Sequence, residues 1–87
     1  MKLIDGVVIR KLADHYMLVV VGKATKNFNG VITLNETGAI LCEMLKKGAE
    51  REQLIDALTN TYEVSEEVAS EDVDILITQL KEANLVE

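Results

Sequence analysis

The rhythm of hydrophobic and polar positions changes once along the chain, near residue 35. Before that point, short runs rich in β-branched residues are broken by polar turns, which is how strands read. After it, apolar residues recur at three- and four-residue intervals, which is how amphipathic helices read. Val7–Leu12 is predicted as the first strand and Tyr16–Val21 as the second, with Ala13–His15 as a hairpin loop between them. The second strand is apolar on both faces: Tyr16, Leu18 and Val20 on one, Met17, Val19 and Val21 on the other. That suits a central strand. A polar loop, Gly22–Gly30, leads to the third strand, Val31–Leu34. Strands joined in this way predict an antiparallel meander, with strands one and three at its edges.

Three helices are expected to follow. Asn35 is a good N-cap and Glu36 suits the positive end of the helix dipole, so helix one is placed at about 36–47, with Gly48 as its stop. Its buried stripe is Leu34, Gly38, Leu41 and Leu45. Helix two, about 51–62, buries Leu54, Ile55, Leu58 and Tyr62. Helix three, about 66–83, opens behind the cap Ser65 and closes at Asn84, a residue that tolerates a left-handed stop. Its core stripe is Ala69, Val73, Leu76, Leu80 and Ala83. Val68 and Ile75 lie about 100° round the helix with Asp72 and Gln79. This second face either widens the core stripe or forms a separate, groove-facing surface.

Eighty-seven residues without proline or a low-complexity linker predict a single domain. Such a chain buries roughly 60–65% of its unfolded surface, enough for one modest core. No run approaches the ~18 apolar residues of a membrane span, and the first residues lack a signal-peptide pattern, so a cytoplasmic protein without a membrane partner is expected. The lone Cys42 fits a reducing compartment. Charge is divided unevenly. Residues 1–49 carry seven Lys and Arg against four Asp and Glu, whereas residues 50–87 carry two against eleven. An acidic half of this kind is a poor partner for phosphates, which argues against nucleic acid.

Catalytic chemistry finds little to work with. The chain has one His and one Cys, at 15 and 42, and no metal-ligand spacing or phosphate-binding glycine loop, so neither a cofactor nor enzymatic activity is expected. His15 reads as a turn residue and Cys42 as a buried thiol among Leu41, Met44 and Leu45. The informative contrast lies between the two sheet edges. Strand one carries Arg10 and Lys11, which guard an edge against other chains. Val31-Ile32-Thr33-Leu34 carries no charge and no proline. Covered by another element, that strand is ordinary structure. Uncovered, it is a docking edge for an extended peptide, with main-chain hydrogen bonds for affinity and side-chain pockets for specificity.

The order of elements, the run Leu34-Asn35-Glu36-Thr37-Gly38-Ala39 and the closing Leu80-Lys81-Glu82-Ala83-Asn84-Leu85 resemble the PqqD family, small proteins named from pyrroloquinoline quinone biosynthesis. Asn84 stands where glycine is expected in many relatives. The resemblance implies an α+β, winged helix-turn-helix-like fold and a non-enzymatic role as a recognition element in natural-product biosynthesis. In that role the leader segment of a ribosomally made precursor peptide adds as a strand beside strand three, in the groove with helix three. The precursor is then presented to a modifying enzyme, often a radical S-adenosylmethionine enzyme. Carried onto this sequence, the resemblance implies Val31, Ile32, Thr33 and Leu34 for main-chain pairing. The groove would be lined by Val68, Asp72, Ile75, Leu76 and Gln79. From charge placement, Lys23 and Lys26 are candidates to meet acidic leader residues. Two other readings stand beside this one: a winged-helix DNA-binding or regulatory domain, and a dimer paired through the strand-three edge in place of a monomer.

Overall fold

The computed structural model describes residues 1–22 and 30–87. Three strands come first: β1 (Val7–Leu12), β2 (His15–Val20) and β3 (Val31–Leu34). They form one antiparallel sheet in the order β1-β2-β3, so the expected meander is present and β2 is central. The helices α1 (Glu36–Lys47), α2 (Arg51–Thr61) and α3 (Glu66–Glu82) follow.

The hairpin differs slightly from expectation. Leu12 pairs with His15, so the loop is only Ala13 and Asp14, and His15 belongs to the strand. Two-residue loops are favoured because their twist matches that of the flanking strands, but they demand a positive φ. Ala13 meets that demand with φ 53°, a region disfavoured for a residue with a Cβ. Ala13→Gly is therefore expected to stabilise the protein by about 0.5–1 kcal/mol, read as a rise in the urea midpoint at unchanged slope. At the other end β2 stops at Val20, although the Val21 N–H still donates to the Gly6 carbonyl at 2.8 Å.

Register explains which sheet face is buried. Leu18 sits between Ile9 and Ile32, and Tyr16 between Lys11 and Leu34, on the face turned to the helices. Val7, Leu18, Ile32 and Leu34 are buried there. Val8, Val19 and Val31 form the matching row on the opposite, open face.

Each helix starts and stops for a local reason. The Asn35 Oδ1 accepts the Gly38 N–H at 2.8 Å, and the Ser65 Oγ accepts the Val68 N–H at 3.1 Å, as their types predict. A capping box links Glu50 and Gln53 at the head of α2. Helix α2 ends one residue earlier than expected, with Tyr62 extended as its C-cap, and α3 ends at Glu82 with Ala83 as its cap. Asn84 then takes φ 59°. Its N–H reaches the Lys81 carbonyl at 3.0 Å, and the Leu85 N–H reaches the Leu80 carbonyl at 2.9 Å, a paired stop that turns Leu85 back into the core.

The core is aliphatic. Leu18, Leu41, Leu45, Leu54, Leu58, Leu80 and Leu85 are fully buried with Val73 and Cys42. Burial, reinforced by Glu43, pushes the Cys42 thiol up to about 12, so it stays protonated and unreactive at neutral pH. The buried stripe of α3 contains Ala69, Val73, Leu76, Ile77 and Leu80. Ile77, four residues after Val73, widens that stripe, whereas the expected Ala83 is only half buried. On α1, Ala39 and Cys42 are buried and Gly38 is not. The chain ends close the structure: the Leu3 N–H bonds the Leu45 carbonyl at 2.9 Å, and Leu3 bridges Val86.

One ion pair ties α2 to α3. Arg51 donates from Nε to Asp74 Oδ1 at 2.7 Å and from an Nη to Oδ2 at 3.0 Å. This hydrogen bond and charge hold the Asp74 carboxyl below its ordinary 3.8. A carboxyl lowered on folding contributes stability above its unfolded value, and the contribution is lost as pH falls through the folded value. Asp74→Asn should therefore lower the urea midpoint slightly at pH 7. The two proteins should converge as pH falls below the ordinary carboxylate range. Since both side chains are about half exposed, the effect at pH 7 is small.

Candidate functional site

The far side of β3 carries no further strand among the described residues. Its side chains alternate as a strand edge should: Ile32 and Leu34 point into the core, while Val31 and Thr33 are exposed. Helix α3 does not seal this edge. Instead, a cleft of about 440 Å³ opens between the end of β3 and α3. Thr33 and Leu34 form one wall, and Asp72, Ile75, Leu76 and Gln79 the other. Asn35, Thr37 and Gly38, at the head of α1, close one end. Asn35 is held there by its capping role, and its Oδ1 also accepts the Thr37 hydroxyl at 2.8 Å. A Cβ on Gly38 would come within 3.2 Å of that same oxygen, so glycine suits this crowded end of the cleft.

Six of the residues singled out from the sequence thus meet in one cleft: Thr33, Leu34, Asp72, Ile75, Leu76 and Gln79. Ile75 is 61% exposed and Val68 46%, so neither widens the core and the second face of α3 is a surface. Leu76 belongs to both, buried at its base and lining the cleft. Val68 lies on the same face of α3, one turn before Asp72, and does not line the cleft. Val31 and Ile32 lie outside the lining as well, Val31 on the open sheet face and Ile32 within the core. Lys23 and Lys26 fall outside the described residues.

Sequence reasoning missed the contribution of the hairpin. Asp14 and His15 also line the cleft. Tyr16 pairs with Leu34, so the residues just before Tyr16 must project beyond the end of β3. The His15 Nδ1 lies 3.4 Å from Asp14 Oδ1. Asp72 has no ion-pair partner among the described residues, in contrast to Asp74.

The opposite edge is different. A cleft of about 460 Å³ beside β1 and α1 has Ile9, Tyr16, Ile40 and Met44 within it, with Lys11, Lys47, Glu36 and Glu43 also lining it. Lys11 is drawn over the Tyr16 ring, 5.8 Å from its centre, and Glu36 accepts the Tyr62 hydroxyl at 3.3 Å. Burial, then Glu36, pushes the Tyr62 hydroxyl above its usual value. Charged side chains thus crowd the β1 side, as its composition predicts, and among the described residues leave β3 as the bare edge. Among the described residues no group of three or more His, Cys, Asp or Glu is placed to hold a metal ion, and no helix is long and apolar enough to cross a membrane.

No curated protein sequence matches the chain significantly. Two solved structures share its fold. TbiB1, in complex with the TbiA(beta) leader peptide, aligns with a TM-score of 0.77 at 23% identity, over 100% of this chain and 95% of that one. Lasso peptide synthetase B1, complexed with the leader peptide, aligns with a TM-score of 0.72 at 25% identity, over 97% and 93% of the two chains. The family described as coenzyme PQQ synthesis protein D (PqqD) matches residues 15–86, most of the chain including β2, β3 and all three helices, and the protein therefore belongs to the PqqD family.

Proposed function

We propose that this protein is a non-enzymatic recognition module for the leader segment of a ribosomally made precursor peptide. The leader adds as a fourth strand at the free edge of β3, lies against α3 in the cleft, and is presented to a modifying enzyme, often a radical S-adenosylmethionine enzyme. The observation that carries this reading is the uncharged β3, whose outer edge meets no further strand among the described residues, opening onto a cleft whose far wall offers an exposed isoleucine. Unpaired strand N–H and C=O groups recruit an extended chain, and neighbouring pockets select its side chains. Family membership and the leader complexes of the two similar structures support the same reading. The order of a sheet followed by three helices supports the likeness to a winged helix.

A DNA-binding role has no comparable support. From Glu66 to Glu82, α3 carries six acids and one lysine. That surface repels phosphate. Pairing of two copies through β3 would compete with the leader for the same edge, so sedimentation with and without peptide separates the two uses.

The direct test is titration with leader peptides of ribosomally made precursors, followed by a backbone N-methyl scan of a leader that binds. In an antiparallel or parallel ladder only alternate residues of the added strand turn their N–H to β3. Losses of affinity are expected at every second methylated position. Uniform tolerance of N-methylation would rule out strand addition.

A further inference from the structure

Resting on that docking reading, the geometry points to a charge requirement in the ligand: we infer that the strand bound at β3 carries a lysine or arginine seated on Asp72, with an apolar side chain two residues away seated on Ile75 and Leu76. Among the described residues the cleft's carboxylates are not balanced by a lysine or arginine, and its other titratable group is His15, 3.4 Å from Asp14. Asp72 comes from α3 and Asp14 from the hairpin, and no described lysine or arginine lines the cleft. Arg51, the arginine of α2, is committed to Asp74 by two hydrogen bonds, and Asp72 has no ion-pair partner among the described residues. Around the exposed flank of Ile75, Glu67 and Glu71 add further negative charge. The whole chain carries −6, so the field approaching this wall favours a cation before contact is made.

The spacing of the wall matches the spacing of a strand. Asp72 and Leu76 are four residues apart on α3, about 6 Å along the helix axis. Side chains on one face of a strand recur every second residue, about 6.8 Å apart. For a strand lying along α3, residues i and i+2 would reach the acid and the apolar ledge in turn. A glutamate or aspartate at the first position would face Asp72 and Asp14 together, while an apolar residue there would strip water from an unpaired carboxylate. A long basic side chain satisfies the carboxylate and lays its methylenes along the cleft.

The test is selection of random twelve-residue peptides, displayed on mRNA, against the full-length protein and against its Asp72→Lys variant. Asp72 is exposed, so the variant should fold with an unchanged urea midpoint. The wild-type pool is expected to enrich lysine or arginine two residues from an apolar position. The charge-reversed pool should keep the apolar position and replace the basic residue by an acid. The best wild-type peptide should bind the variant roughly tenfold more weakly. The same residues at that position in both pools, or acids in the wild-type pool, would overturn the basic subsite and leave strand docking intact. Selected peptides whose binding survives Ile75→Glu unchanged, or no enrichment at all, would overturn the docking reading beneath it.

Discussion

Replacing Ile75 by glutamate is expected to weaken leader binding by roughly a hundredfold and to leave the fold intact. The side chain is 61% exposed in the free protein, so its removal opens no cavity. Glutamate is at least as good a helix former as isoleucine, and an exposed substitution of this kind shifts stability by about 0.5 kcal/mol or less. In the proposed complex the same position would face the leader across the cleft, with the added strand shielding it from water. Placing an unpaired carboxylate against an apolar leader side chain costs about 2–4 kcal/mol, and each 1.4 kcal/mol is tenfold in affinity. Ile75→Ala separates charge from lost contact and should cost less. Binding is read by fluorescence anisotropy of labelled leader, and folding by circular dichroism and the urea midpoint. A glutamate variant that unfolds would make Ile75 a core residue. One that folds and binds like wild type would remove α3 from the site.

That prediction turns on a face of α3 whose meaning the sequence left open. Val68 and Ile75 could either widen the core stripe or face a groove, because periodicity assigns residues to faces of a helix and does not say what each face meets. The structure decides through Ile77, which occupies the widened flank of the stripe and leaves Ile75 outside. The β3 edge was legible for a firmer reason: its four residues alternate in and out, and the meander can only end there. Asp14 and His15 were harder to see, since their place in the cleft depends on the register of β2 against β3. The docking of Met1–Ile4 was beyond local pattern altogether. A run that short has no period, and its backbone finds partners forty and eighty residues away, in Leu45 and Leu85.

The last of these long-range ties carries the second large effect. Leu85→Ala is expected to destabilise the protein by about 3 kcal/mol while leaving the affinity of the folded protein for leader unchanged. Leu85 is fully buried, and its backbone joins two systems: its N–H bonds Leu80 to end α3, and its carbonyl accepts the Ile4 N–H at 2.9 Å. Removing three buried carbons from such a site costs about 2–5 kcal/mol, including the cavity left behind. At about 0.05–0.15 kcal/mol per residue, the whole chain has only about 4–13 kcal/mol to lose. Leu85 lines no part of the cleft, so binding measured well below the thermal midpoint should match wild type. Leader at a hundred times its dissociation constant stabilises a folded binder by about 2.7 kcal/mol. It should therefore restore most of the stability lost in Leu85→Ala. At the same leader concentration a double variant with Ile75→Glu should recover much less, because the proposed docking cleft is then impaired. Equal rescue of the single and double variants would show that the leader binds elsewhere.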